Sequence, residues 1–297
     1  MTFLKLFGML TMLADHTGFL FDIQWLRIIG RSCFPVFAFM TAYGWSKTRN
    51  RWNYVSRMME LALFSEVPFL WMYELSGGIN VSDANTQFAL ICSMISAGLL
   101  LWGGYLLKRK IPPRLGGMSI GDTALVAMYL VMPVIVPHTN VLYTLTTALL
   151  FLWAMQTKYA DILMKVILGA GLLLGYGIFC DYSIFGVALI IGIALTQPEF
   201  RMSLIGYQMK IKQAAAGLVM FMPYVVMLIW AVVMTIFYDN KAEFVGMLVG
   251  IGVVFWYDMI SKQKPAPVFV RKFCYVFYPV HLLILDIAAV VILHWYI

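Results

Sequence analysis

Apolar residues follow one another along this chain in long stretches, each closed by a short polar cluster rich in Lys, Arg, Asn or Gly. At 1.5 Å of rise per residue, a helix needs about twenty such residues to cross roughly 30 Å of hydrocarbon. The polar punctuation predicts spans over 3–23, 30–46, 57–75, 87–107, 120–137, 140–157, 161–179, 182–197, 214–238, 242–261 and 272–295. That makes eleven crossings, or a ten-helix version in which 161–179 and 182–197 merge into a re-entrant hairpin. The first stretch begins at Met1 and carries Asp15-His16 without a small-residue cleavage site, so a retained helix is expected there and not a signal peptide.

Composition strengthens this reading. Hydrophobic residues make up 62% of 297, charged residues 12%, and the mean hydropathy is +0.86. A soluble core has no use for that much apolar surface. No Gly/Ser linker, charge block, low-complexity stretch or internal repeat separates two halves. The expectation is an all-α, polytopic integral membrane bundle of ten or eleven transmembrane helices, forming one domain over 1–297.

Cations orient the bundle, because short cytoplasmic loops collect Lys and Arg. With the N-terminus inside, the cytoplasmic face takes Lys5, the Lys47-to-Arg57 and Lys108-to-Arg114 clusters, Lys158, Lys165, Arg201, Lys210, Lys212 and the Lys262-to-Lys272 cluster. Of the 21 cations, only Arg27, Arg31 and Lys241 are left for the exterior. The net charge of +7 therefore lies along one membrane face and forms no nucleic-acid-binding stripe. Anionic lipid head groups account for it, and a phosphate-bearing cytosolic ligand such as a nucleotide or coenzyme A would use the same charge.

Ionisable groups at membrane depth are costly and mark functional sites by default. Asp15 and His16 stand about 18–20 Å from the inner boundary by helical rise, in the outer half. Arg31 opens the next helix in the same layer, where His138, Asn140 and Asp181 also fall. His281 sits nearer mid-depth, about 14 Å above Lys272. Each has a plainer explanation. Asp15 and Arg31 may be written as a buried structural ion pair, Asp181 as an interfacial turn residue, and Arg31 as a snorkelling cation. His138 and His294 lie near the aqueous boundary, and a neutral imidazole bonded to a neighbouring helix suffices for His281. The Asp15-His16 pair resists such treatment, since adjacent helical residues point about 100° apart and cannot satisfy one another.

Cys33, two residues past Arg31, suits either a small buried packing role or an acyl carrier in a ping-pong scheme. Cys92, Cys180 and Cys274 show neither metal spacing nor close pairing, so no metal and no disulfide framework is expected. No phosphate loop, nucleophile elbow or zinc-protease string occurs. The many Met, Tyr, Phe and Trp residues suit interfacial belts and lipid-facing packing better than a cofactor cage.

Leu13-Ala14-Asp15-His16, followed by Leu26 to Phe39 with Gly30-Arg31-Ser32-Cys33-Phe34-Pro35 at its centre, closely resembles the start of the TraX-like family, named after the F-pilin N-acetylase. The resemblance continues through Thr48-Arg49-Asn50-Arg51, Tyr54 and Glu66-Val67-Pro68-Phe69. It resumes at Asn140 to Leu145, Asp181 to Gly186 and Phe277-Tyr278-Pro279-Val280-His281-Leu282, in the family's order and over nearly the whole chain. Three departures stand out: residues 76–136 look like an extra helical hairpin, 198–261 carries no shared motif, and Ser183 stands where a Gly is expected.

The resemblance implies a multi-pass protein of the bacterial cytoplasmic (inner) membrane that moves an acetyl group from cytosolic acetyl-CoA to an acceptor amine or hydroxyl near the outer face, as in the wider transmembrane acyltransferase superfamily. A pilin N-terminus or a glycan, free or lipid-linked, would be the acceptor. An attacking acceptor must lose a proton, and imidazole suits that work near neutral pH, so His16 is the candidate general base. Asp15, Asp181 or Asp286 would orient it. Arg31, Asn140 or His281 would donate to the oxyanion, with Arg31 and Asn140 favoured by height. Arg49, Arg51 and Arg57 would receive the phosphates of coenzyme A.

A reading from another class is a proton-coupled secondary transporter or flippase in which Asp15, His16 and Asp181 relay protons. That architecture favours paired, Gly/Pro-interrupted segments in two related halves, and the chain displays no such symmetry.

Overall fold

The computed structural model describes residues 1–76, 114–115, 118–135, 139–156, 162–173, 181–197, 213–238, 241–260 and 266–296. These residues are helical almost throughout. The helices are α1 (Thr2–Leu20), α2 (Gln24–Gly30), α3 (Cys33–Lys47), α4 (Arg51–Leu75), α5 (Ile120–Ile135) and α6 (Val141–Gln156). They continue with α7 (Ile162–Gly171), α8 (Ser183–Thr196), α9 (Gln213–Tyr238), α10 (Lys241–Ile260) and α11 (Val268–Tyr296). A minimal antiparallel ribbon, β1 (Arg114–Leu115) on β2 (Met118–Ser119), precedes α5.

Wherever both are described, the expected spans and the observed helices agree to within a few residues, except that α4 begins at Arg51, six residues before the span expected over 57–75, and that α2 was not expected. The span expected over 87–107 lies outside the described residues, as does most of 161–179 beyond α7. Residues 24–29, expected as a loop, form α2 together with Gly30. The chain leaves α1 through Asp22, whose φ of 53° is the left-handed conformation that ends helices. The Ile23 amide then donates to the Gly18 carbonyl at 2.8 Å, so α2 folds straight back over the end of α1.

Side-chain contacts fix the helix directions. The Met1 amino group meets Tyr257 near the end of α10, while Arg31 at the start of α3 meets Glu243 at the start of α10. Helix α10 therefore runs antiparallel to α1 and in the same direction as α3. Helix α11 runs parallel to α1, with Lys5 beside Cys274 and His16 beside His281. The amino terminus thus lies at the end of the bundle opposite to that toward which α11 runs. Lys5, Arg49 and Arg51 occupy the first end, and Asp15, Arg31, Asp181 and Glu243 the second; we call these the basic and acidic ends.

Close packing at the acidic end depends on glycine. A Cβ on Gly30 would stand 2.3 Å from the Asp15 Cβ and 2.4 Å from its Cα, so only hydrogen there lets α2 seat on α1. A Cβ on Gly246 would meet the Ile28 carbonyl oxygen at 1.8 Å, so α10 lies directly on the α2 backbone.

The interior is continuous, with Trp45, Phe34, Phe39, Met59, Leu63 and Tyr143 almost wholly buried. The outside is apolar as well. Ile162, Ile167, Ile229, Ile236, Phe269 and Ile284 each expose more than half of their surface. Two described helices, Lys241–Ile260 and the Val268–Ile292 portion of α11, are long and apolar enough to cross a membrane.

Candidate functional site

A cleft of about 900 Å³, its open mouth included, runs between α1, α3, α4, α6 and α11. Its walls carry Lys5, Tyr54, Cys274 and Tyr275 toward the basic end and Asp15, His16, Asp181 and Tyr182 toward the acidic end. Lys5 and His16 are eleven residues apart on one helix, so the cleft extends about 16 Å along α1. Between them the lining is chiefly apolar, with Met12, Phe37, Met40 and Leu145.

Two sequence-predicted residues meet beside it, His16 from its lining and His281 packed against His16. The His16 Nδ1 and His281 Nε2 atoms are 2.7 Å apart, and the ring centroids lie 4.9 Å apart with only 13° between their planes, so the imidazoles meet edge to edge. The far nitrogen of His281, Nδ1, is 2.8 Å from the Phe277 carbonyl oxygen. A carbonyl can only accept, so His281 Nδ1 carries the proton and its Nε2 is the acceptor for His16 Nδ1–H. In a neutral pair this leaves Nε2 of His16 as the nitrogen with a free lone pair. Both residues are buried, at 8% and 4% exposure.

Asp15 serves a different purpose from orienting its neighbour. Its Oδ2 lies 2.9 Å from Arg27 Nη1 and 3.8 Å from Arg31 Nη1. Arg31 in turn holds Glu243 at 2.7 Å through Nε and donates from Nη1 to the Tyr182 hydroxyl at 3.2 Å. These residues form a largely buried network beside the acidic end of the cleft, where Asp15 and Tyr182 are part of the lining. Asp181 lines the same end. Asn140 is buried and engaged elsewhere. Its Nδ2 donates to Glu66 Oε2 at 2.6 Å and to the Ala62 carbonyl at 2.9 Å, while its Oδ1 caps α6 by accepting from the Leu142 amide at 2.9 Å. Asn140 thus clasps α4 to α6. Asp286 is fully buried in α11 with neither carboxyl oxygen hydrogen-bonded. His138 lies outside the described residues, and Cys33 is buried in the cleft wall.

A second, shallower pocket opens at the basic end, lined by Thr48, Arg49, Asn50, Arg51, Trp52, Trp153 and Gln156. Arg51 bonds Gln156 and lies 5.2 Å over the Trp45 ring, and the Trp52 and Trp153 rings are 5.1 Å apart. Arg57 stands apart from that pocket, its Nε donating to the Asn53 carbonyl at 2.8 Å. Among the described residues, no group of three or more His, Cys, Asp or Glu side chains is placed to hold a metal ion.

Sequence reasoning missed Arg27, Glu243 and Glu66. Arg27 was expected in a loop, and Glu243 follows an outer helix boundary where charge is common. Glu66 was legible, since a carboxyl midway along an apolar helix is a functional candidate by depth alone.

The fold and the site define a helical protein with a buried histidine pair beside a cleft whose lining runs from Lys5 to Asp15. The family model described as TraX protein matches residues 1–102 and 113–289, and the chain belongs to that family. No curated protein and no solved structure matches it.

Proposed function

We propose that this protein is a polytopic bacterial inner-membrane acetyltransferase, with its basic end in the cytosol and its acidic end toward the outer face. The apolar outer surface and the distribution of cations support that placement. The family's name is tied to F-pilin acetylation, which makes an acceptor amine on a pilin the leading substrate and a glycan hydroxyl or lipid-linked sugar the runner-up. The observation that carries the reading is the His16 ring, oriented by His281 and lining a cleft about 16 Å long that extends to Lys5.

Acetyl-CoA is the proposed donor. Its 3′-phosphate and pyrophosphate would rest on Arg49 and Arg51, its adenine against Trp52 or Trp153, and its pantetheine arm along the apolar cleft. Arg57, exposed beside this pocket, contributes long-range attraction. At the acidic end, His16 Nε2 takes the proton of the acceptor as it attacks the thioester carbonyl. The Asp15, Arg27, Arg31 and Glu243 network orders Tyr182 beside the acceptor through the Arg31 hydrogen bond. Asp181 would meet an acceptor ammonium group and help deprotonate it.

Proteoliposomes given radiolabelled acetyl-CoA, with an alanyl peptide amine and a lipid-linked disaccharide as alternative acceptors, test the proposal. Transfer should require His16 and disappear in His16→Ala, while acetyl-CoA still binds. Counterflow of an acceptor with no acetyl donor present, and no transfer when donor is added, would instead establish a proton-coupled transporter or flippase.

A further inference from the structure

Tyr278 supplies what the proposed chemistry still lacks. It lines the cleft at 3% exposure, with its ring edge-on to both His16 at 6.1 Å and His281 at 5.6 Å between centroids. Its hydroxyl is buried and closes no hydrogen bond of regular geometry. A buried O–H with no acceptor in a water-poor site is costly and invites a ligand.

The neighbour of that hydroxyl is the N-terminus of α6. The first amides of this helix are assigned in order: Asn140 N–H to Glu66 Oε2 at 3.3 Å, Leu142 N–H to Asn140 Oδ1 at 2.9 Å, and Tyr143 N–H to the Asn140 carbonyl at 2.9 Å. The amide left over is that of Val141, which lies against the Tyr278 hydroxyl. Val141 and Leu142 also line the cleft. A phenol oxygen that receives an N–H from a positive helix end becomes a better donor through its own O–H.

We propose that Tyr278, backed by the Val141 amide, is the catalytic residue that stabilises the oxyanion. This inference rests on the acetyl-transfer reading, and moves the role away from Arg31, which is ion-paired with Asp15 and Glu243, and from Asn140, whose amide donates to Glu66 and Ala62. In the step, the acceptor nitrogen or oxygen forms a bond to the thioester carbon and its proton passes to His16 Nε2. The carbonyl π pair moves onto oxygen, and Tyr278 donates a hydrogen bond to that oxygen without giving up its proton. Collapse restores the C=O bond, breaks the C–S bond and expels coenzyme A thiolate, which recovers the proton from His16.

The test is steady-state acetyl transfer in proteoliposomes with acetyl-CoA and the acceptor on which the wild type is active. Tyr278→Phe keeps the ring and its packing. It should lower kcat about 100-fold with KM for acetyl-CoA within about threefold, the range seen when one oxyanion donor is removed. Replacing Tyr278 by 3,5-difluorotyrosine should preserve turnover at low pH and lose it at a lower pH than wild type, because an ionised phenol no longer donates. A structural hydroxyl would not move that profile. Tyr278→Phe with unchanged kcat, or with the whole effect in KM, overturns the inference while leaving His16-dependent transfer intact. If the wild type transfers no acetyl group to either acceptor, the parent reading falls and this inference with it.

Discussion

His16 Nδ1 donates to His281 Nε2 across 2.7 Å, joining the first and last described helices through residues 265 positions apart. The Phe277 carbonyl fixes the tautomer of His281, and His281 fixes that of His16. The second imidazole therefore does for the first what a carboxylate does in a hydrolase triad, without adding a formal charge at membrane depth. On the proposed acetyl-transfer reading, the pair makes His281 a positioning residue. His281→Ala should lower kcat roughly 100-fold with a small change in KM for acetyl-CoA, a magnitude within the usual range for general-base catalysis. His281→Gln, whose amide oxygen can still accept from His16 Nδ1–H, should recover a substantial part of the loss. Equal activity for the Ala and Gln variants would detach His281 from the mechanism.

Asp15 holds two cations at once, so removing its charge leaves Arg27 and Arg31 repelling one another at a half-buried site. Breaking a buried pair from one side costs about 3–5 kcal/mol. Asp15→Asn should approach that range and Arg27→Gln should cost much less, because Arg27 is more exposed and Arg31 remains as partner. Thermal unfolding in detergent measures both. The double variant should lose less than the sum, since the residues share one interaction. Strict additivity would mean that the ion pair contributes nothing to the fold.

What could be read in the sequence, and what could not, follows from the range of the interactions. Long apolar stretches report helices directly, and the observed α3, α6, α8, α9 and α10 start and stop within a few residues of expectation. A seven-residue helix such as α2 is too short to show a period, which is why Arg27 was assigned to a loop. Depth along α1 brought out Asp15 and His16, yet no local signal pairs His16 with His281 or frees Asp15 for Arg27; three-dimensional packing decides both. Asn140 was placed correctly in height and misjudged in availability, because its partners Ala62 and Glu66 sit on another helix.

Ser183 gives a prediction of the opposite sign. It adopts a φ of 50°, a conformation costly for a residue with a Cβ. Ser183→Gly should stabilise the protein by about 1 kcal/mol, after allowing for the extra freedom of glycine in the unfolded chain. The readout is an increase in the midpoint of thermal unfolding, with acetyl transfer unchanged. A lower midpoint would show that the hydroxyl or the Cβ makes a contact worth more than the strain.

Asn140→Ala should be a stability variant first. It removes the α6 cap, worth about 1 kcal/mol, and strands the Glu66 carboxyl in the core. A loss of about 2–4 kcal/mol is expected in detergent unfolding. Asn140→Asp should not rescue it, because a second carboxyl would face Glu66. Rescue should come from the Asn140→Asp, Glu66→Gln double variant, in which the amide and the acid exchange places. Failure of that exchange would separate the two residues energetically.

The basic-end pocket can be tested independently of the catalytic step. If Arg49 and Arg51 receive phosphate, Arg49→Ala/Arg51→Ala should raise KM for acetyl-CoA about tenfold or more, with kcat nearly constant, since a hydrogen bond to a charged group is worth about 1.5–3 kcal/mol. Added salt should raise the wild-type KM more steeply than that of the variant, because screening acts only on charges still present. Acetyl-dephospho-CoA, which lacks the 3′-phosphate, should bind the wild type more weakly and lose little further affinity in the variant if these guanidinium groups read that phosphate. Arg57→Ala should change KM by less than twofold at physiological salt, since Arg57 is exposed and its Nε is committed to the Asn53 carbonyl. A larger effect at Arg57 than at the Arg49 and Arg51 pair would move the nucleotide away from Trp52 and Trp153, toward the exposed face of α4.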